Sequence, residues 1–210
     1  MHGPARDCPL CPRLVAFRSS NQAAHAEYFN GAVPPFGAED AWLLIVGLAP
    51  GLHGANRTGR PFTGDYAGDL LYPTLITAGL ATGTYGAAAD DGLRLVGCRI
   101  TNAVRCVPPE NKPTPAEQKT CREFLVSEIG TMPKLKAILA LGRIAHDAVL
   151  ATLKARKAAF PFAHGAQHQV GDWLTLTDSY HCSRYNVNTG VLTAAMFLDV
   201  VSAVRKLGRG

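Results

Sequence analysis

Two segments far apart in this chain carry residues suited to chemistry on a single ligand. They are Gly47-Leu-Ala-Pro-Gly-Leu-His-Gly-Ala-Asn-Arg-Thr-Gly-Arg-Pro-Phe-Thr-Gly-Asp65 and His181-Cys-Ser-Arg-Tyr-Asn-Val-Asn-Thr-Gly190. Both are rich in Gly, Asn, Arg and hydroxyl side chains, and both follow short apolar runs, Ala41 to Val46 and Trp173 to Leu176. A glycine-rich polar loop leaving a buried strand is where open α/β sheets bind ligands. Glycine lets the backbone approach the ligand, and arginine suits phosphate. The pair points to a ligand that is flat, anionic or both. Phe62 can stack on a flat base. Asn102 offers an amide that both donates and accepts. His181 can donate to a developing oxyanion. Asp65 is the acid placed to orient water or to stabilise a cationic sugar, and it is equally suited to capping a helix.

A P-loop does not fit the first segment. In Gly54-Ala-Asn-Arg-Thr-Gly59-Arg60, Arg60 stands where that motif needs Lys, and Pro61 stands where it needs the hydroxyl that holds Mg²⁺. The spacing of a dinucleotide-binding loop, Gly-x-Gly-x-x-Gly, is also missing after the first apolar run.

Six cysteines add a second theme. Cys8 and Cys11 form a C-x2-C pair in a Pro-flanked turn, and Cys106 and Cys121 form a second pair. The N-terminus has no apolar stretch of the kind that directs secretion, and no apolar run is long enough to cross a membrane, so a cytoplasmic, reducing setting is expected. There, thiol clusters read as metal ligands rather than disulfides. Four thiolates suit zinc or an iron–sulfur cluster, and spacing alone does not separate the two. Cys98 reads as a structural thiol beside a strand, and Cys182 as a partly exposed one.

The elements that must position these residues alternate. Strands are expected at Ala41–Gly47, Arg99–Val104, Lys136–Leu141 and Trp173–Thr177. Helices are expected around Leu14–Glu27, at Gly68–Ala81, from Pro115 to about Ile129, from Gly142 to about Lys154, and from Val191 to Lys206. The start at Pro115 is marked by Thr114 as N-cap and Glu117 completing a capping box. The last helix places Phe197, Val200, Val201 and Val204 at helical spacing. Residues 155–172 read as a loop or hairpin. This order predicts an α/β fold with a four-stranded parallel sheet covered on both faces, in a single domain over residues 1–210. With a net charge of +5 and a pI near 9.0, the chain favours an anionic partner such as nucleic acid. A non-catalytic nucleic-acid-binding module with structural zinc explains the charge and the cysteines but leaves the His181 loop without a task.

The chain resembles the family 5 (B-type) uracil-DNA glycosylases, the iron–sulfur branch of their superfamily. The resemblance spans nearly the whole chain. It rests on Gly47–Asp65, Thr101-Asn-Ala-Val-Arg-Cys106, Pro109-Glu-Asn-Lys-Pro-Thr-Pro115 and the His181–Gly190 segment, with the four cysteines in matching order. It implies a three-layer α/β/α sandwich around a small parallel sheet and excision of uracil, and of related deaminated bases such as hypoxanthine, from DNA. It also implies a [4Fe–4S] cluster on Cys8, Cys11, Cys106 and Cys121. By this resemblance Asp65 and His181 are catalytic, and Gly47, Phe62 and Asn102 bind the base. Arg57, Arg60, Arg105, Lys112 and Arg184 contact phosphates, while Ser183, Arg184 and Tyr185 enter the space left by a flipped nucleotide. Ala49 stands where the wider superfamily has its water-activating Asp or Asn, which leaves the water to Asp65, with Asn111 next in line. Cys182 stands where the family usually has Pro. DNA is the expected partner, with no membrane and no obligate protein partner.

Overall fold

The computed structural model describes residues 3–208. The apolar runs form β1 (Leu43–Gly47), β4 (Cys98–Asn102), β5 (Ala137–Leu141) and β7 (Leu174–Ser179). They lie in one sheet of order β4-β1-β5-β7-β6, where β6 is Gln167–Val170. The pairs β1–β4, β1–β5 and β5–β7 are parallel. The sheet therefore has five strands rather than the four expected from sequence, because β6 folds back antiparallel on β7 as an edge. A second, two-stranded sheet joins β2 (Ala81–Thr82) to β3 (Arg94–Leu95).

Alternation along the strands builds a core on each face. Leu43, Ile45, Leu139 and Leu141 pack with Leu71, Leu75, Phe197, Val201 and Val204. These partners come from α3 (Tyr66–Thr77) and α7 (Ala194–Leu207). On the other face, Leu44, Val46, Ile138 and Leu176 pack with Leu125 of α4 (Pro115–Thr131) and Val149 and Leu150 of α5 (Arg143–Thr152). The result is the expected three layers. A third, smaller core joins Leu14 of α1 (Pro12–Ala24) to Val104, Phe124 and the thiols Cys106 and Cys121.

Helix starts follow their caps. Thr114 accepts from the Glu117 N–H while the Glu117 carboxylate takes the Thr114 N–H, so the capping box is complete. Asp65 caps α3 by accepting from the Gly68 N–H, so this helix begins at Tyr66, ahead of the predicted start. A short helical turn, α2 (Ala55–Thr58), lies inside the first glycine-rich segment, and another, α6 (Arg184–Asn188), follows the N-cap Ser183 in the second.

β1 and β5 are neighbours whose outgoing helices pack on opposite faces, α3 on one and α5 on the other. A crevice opens at the carboxyl ends of two strands so arranged. The first glycine-rich segment starts there, at the end of β1, and the second starts one strand further on, past the end of β7. No helix among the described residues is long and apolar enough to cross a membrane.

Candidate active site

Gly47 ends β1 directly opposite Asn102, which ends β4. The hydrogen bonds Ala103 N–H to Gly47 C=O and Val104 N–H to Leu48 C=O extend this pairing into the loop. A Cβ on Gly47 would lie 2.4 Å from the Asn102 Oδ1 and 2.4 Å from the Phe62 Cζ. Both side chains thus occupy the space a side chain at position 47 would need. Phe62 itself adopts φ +52°, a left-handed conformation that turns its ring inward, and its carbonyl runs so close to Gly68 that a Cβ there would stand 1.9 Å away.

His181 lies just beyond β7. Its ring centroid is 6.1 Å from that of Phe62, and the Gly142 backbone sits below its Cβ. The Asn186 amide donates to the His181 carbonyl at 2.8 Å and fixes the loop. Together these residues enclose a cleft of about 280 Å³. Its walls include Ala49, Phe62, Asp65, Asn102, Asn111 and His181. Tyr66, Ser183 and Arg184 line it as well, and the Arg184 guanidinium lies over the Tyr66 ring at 5.5 Å, so the two lips touch. Tyr66 was not anticipated from sequence; its place beside Asp65 at the start of α3 was the available signal.

Burial sets the electrostatics of the cleft. Desolvation pushes the His181 pKa down to about 4, so its imidazole is neutral at neutral pH. Burial raises the Asp65 carboxyl above the ordinary range, against the opposing hydrogen bond from Gly68. The Asn102 Oδ1 is buried without a hydrogen-bond partner. An orphaned acceptor on a cleft wall fits a ligand that supplies the missing donor.

The predicted phosphate contacts divide. Arg57 is exposed on the first lip, where it donates to the His53 and Gly64 carbonyls, and Lys112 is exposed beside Glu110. Arg184 and Tyr185 are exposed, Tyr185 by 74%. Arg60 and Arg105 correct the sequence expectation. Arg60 is 4% exposed and paired with Asp91, and Arg105 is 1% exposed and paired with Glu128. Both guanidiniums are internal ties and do not reach a DNA backbone. Cys182, expected to be partly exposed, is fully buried; burial, with the Asp65 charge nearby, pushes its thiol up to about 12. Cys98 is buried in β4 as expected.

Cys8, Cys11, Cys106 and Cys121 converge on one apolar recess with Leu10, Leu14, Val104 and Phe124. All four are free thiols. They are close enough for Cys121, Cys8 and Cys11 to add to the burial that pushes the Cys106 thiol up to about 12. The Arg105 N–H donates to the Cys121 sulfur at 3.4 Å. Among the described residues, the trio of potential ligand atoms drawn within 4.8 Å of one another is His146, His168 and Asp178. Four converging soft donors suit a thiolate-bound metal centre, zinc or iron–sulfur.

A sequence profile of the Uracil DNA glycosylase superfamily matches residues 34–205. The chain belongs to that superfamily. Its relatives include a Type-5 uracil-DNA glycosylase of Thermus thermophilus, 48% identical over 95% of this chain and 93% of the relative. Another Type-5 uracil-DNA glycosylase, from Mycobacterium tuberculosis, is 43% identical over 95% of this chain and 78% of its own length. A third, from Pyrobaculum aerophilum, is 40% identical over 93% of this chain and 86% of the relative. The superfamily match takes in both lips of the cleft and two of the four clustered thiols, Cys106 and Cys121.

Proposed function

We propose that this protein is a DNA repair glycosylase, one domain over the whole chain, which flips uracil out of DNA and hydrolyses its N-glycosidic bond. The observation that carries the reading is the convergence of Phe62, Asn102, Asp65 and His181 on one cleft at the carboxyl ends of the strands. A glycosidic bond is out of reach inside a duplex, so the nucleotide must leave the stack. Phe62 stacks on the base, and the close approach allowed by Gly47 brings the Asn102 amide to the base edge, where its orphaned oxygen accepts from the ring N–H. Asn111 closes the same wall.

The C1′–N1 bond breaks with its electron pair going to the base. His181, neutral, donates an N–H to the oxygen on which the negative charge grows. The sugar becomes an oxocarbenium ion. Asp65 stabilises it and orients the water that adds to C1′, whose proton passes to the carboxylate and on to solvent. The base anion takes up a proton, leaving free uracil and an abasic site. Arg57, Lys112 and Arg184 hold phosphates, and Ser183, Arg184 and Tyr185 fill the space the nucleotide vacates.

Cys8, Cys11, Cys106 and Cys121 would hold a [4Fe–4S] cluster. Such a cluster supplies a covalent tie between the N-terminal segment and the loop that follows β4, with iron–thiolate charge-transfer absorption as its signature. DNA carrying uracil is the partner, with no obligate protein partner, and the setting is the cytoplasm, where the DNA lies.

Oligonucleotides carrying uracil, hypoxanthine, xanthine or mismatched thymine, incubated with the protein and then treated with alkali, test the activity directly. Cleavage at uracil is the expected result. Intact uracil strands, bound without cleavage, would leave only a nucleic-acid-binding module. A brown protein with broad absorbance near 400 nm (roughly, for thiolate-bound clusters) is expected; a colourless, zinc-loaded one would overturn the cluster.

A further inference from the structure

We propose that His146, His168 and Asp178 form a second metal site, for a divalent transition ion such as Zn²⁺, which clamps the edge strand β6 onto the sheet. The three side chains come from α5, β6 and β7, at the margin of the sheet away from the cysteines. Their potential ligand atoms lie within 4.8 Å of one another. The His146 Nδ1 is 2.7 Å from the Asp178 Oδ1, and the His168 Nε2 is 3.1 Å from the Asp178 Oδ2. The side chains are 2% exposed for His146, 0% for Asp178 and 12% for His168.

The hydrogen bonds set His146 up as a ligand. Its Nε2 lies 2.9 Å from the Phe160 carbonyl. A carbonyl only accepts, so this nitrogen carries the proton and Nδ1 is left to face the carboxylate. Metal-bound histidines are held in this way, with the far ring N–H donated to a backbone carbonyl. A carboxylate oxygen and an imidazole nitrogen at this separation share a cation. A divalent ion bound there takes the place of the hydrogen in this 2.7 Å contact. Two imidazoles and one carboxylate are a donor set that suits zinc and its neighbours, with an open position for water. The Phe162 ring stands edge-on to His146 and the Phe160 ring edge-on to His168, so the site has apolar walls. His168, the most exposed of the three, marks the way in. None of these residues lines the glycosylase cleft, and the uracil chemistry makes no use of them.

The test is dialysis of the purified protein against Zn²⁺, with iron and zinc measured before and after. Wild type should gain about one zinc per chain. X-ray absorption at the zinc edge should show nitrogen and oxygen neighbours, and melting should move to higher temperature. His168→Ala, at the sheet edge, should keep its circular dichroism, bind zinc about 10-fold to 100-fold more weakly and lose the melting shift. Asp178→Asn should do the same if it folds. No added zinc in wild type, sulfur neighbours at the zinc edge, or equal uptake by His168→Ala would each overturn the site and leave a hydrogen-bonded triad only.

Discussion

His181 gives the sharpest expectation at the scale of single residues. In the proposed reaction its hydrogen bond acts on charge that exists only as the glycosidic bond breaks. His181→Ala should therefore lose about 10²–10³ in single-turnover cleavage, with DNA affinity nearly unchanged. Equal losses in both would remove the role. Because its pKa is pushed down to about 4, the rate should show no break near the ordinary histidine value of about 6.5. The linkage has a definite sign: the unfolded chain takes up the proton first, so this histidine makes stability fall as pH drops from about 6.5 towards 4. Asp65 has the opposite sign. Its folded pKa is raised by burial, so ionising it costs the folded state, and the cost is felt as pH rises through that value. Asp65→Asn keeps an N-cap for α3 and removes the buried charge. Cleavage should collapse at neutral pH while the melting temperature holds or rises. Cleavage by Asp65→Asn at near wild-type rate would show that capping, which Asn preserves, and not water handling, is what this residue chiefly provides. At this scale the sequence was informative about residue type: an acid, an amide, an aromatic ring and a histidine were all legible. Arg60 and Arg105 were not, because the partners that bury them, Asp91 and Glu128, lie 31 and 23 residues away.

Among the elements, the strands with continuous apolar runs and the helix with the complete capping box could be read from the sequence, since each signal is local. β6 could not. Its Gln-His-Gln-Val sequence shows three polar residues, and only pairing with β7 makes it a strand. α2 escaped for a similar reason: a four-residue turn inside a glycine-rich segment has no periodicity to detect. The register between β1 and β4 is what aligns Gly47 with Asn102. Gly47→Ala places a methyl against the Asn102 amide and the Phe62 ring. Turnover on uracil DNA should fall steeply with Asn102 and Phe62 displaced, and a binding assay with an abasic-site duplex, which carries no base, should change far less. Similar losses on both ligands would mean that the strand end itself had been distorted.

For the whole molecule, charge is divided between surface and interior. Arg57→Ala and Arg60→Ala separate the two. Arg57 is exposed, so its loss should weaken DNA binding and reduce the salt slope by about one, with the melting temperature unchanged. Arg60 is buried against Asp91, whose side chain is 5% exposed, and its removal takes away that carboxylate's counter-charge and leaves it the Gly86 and Leu93 N–H groups. A loss of about 3–5 kcal/mol in a denaturant titration is expected. Unfolding free energies that agree for the two variants would contradict this division. The three-layer plan was foreseen because strand–helix alternation admits few arrangements. The third core, where α1 meets the cysteine loop, was visible only as thiol spacing.

The crowded end of β1 also bears on how such a site can vary through time. Position 47 is vacant because two neighbours fill it from different strands and loops. A larger residue there requires both Phe62 and Asn102 to give way together. Ser183 and Arg184 line the same cleft from the second segment and are not among the groups that crowd position 47.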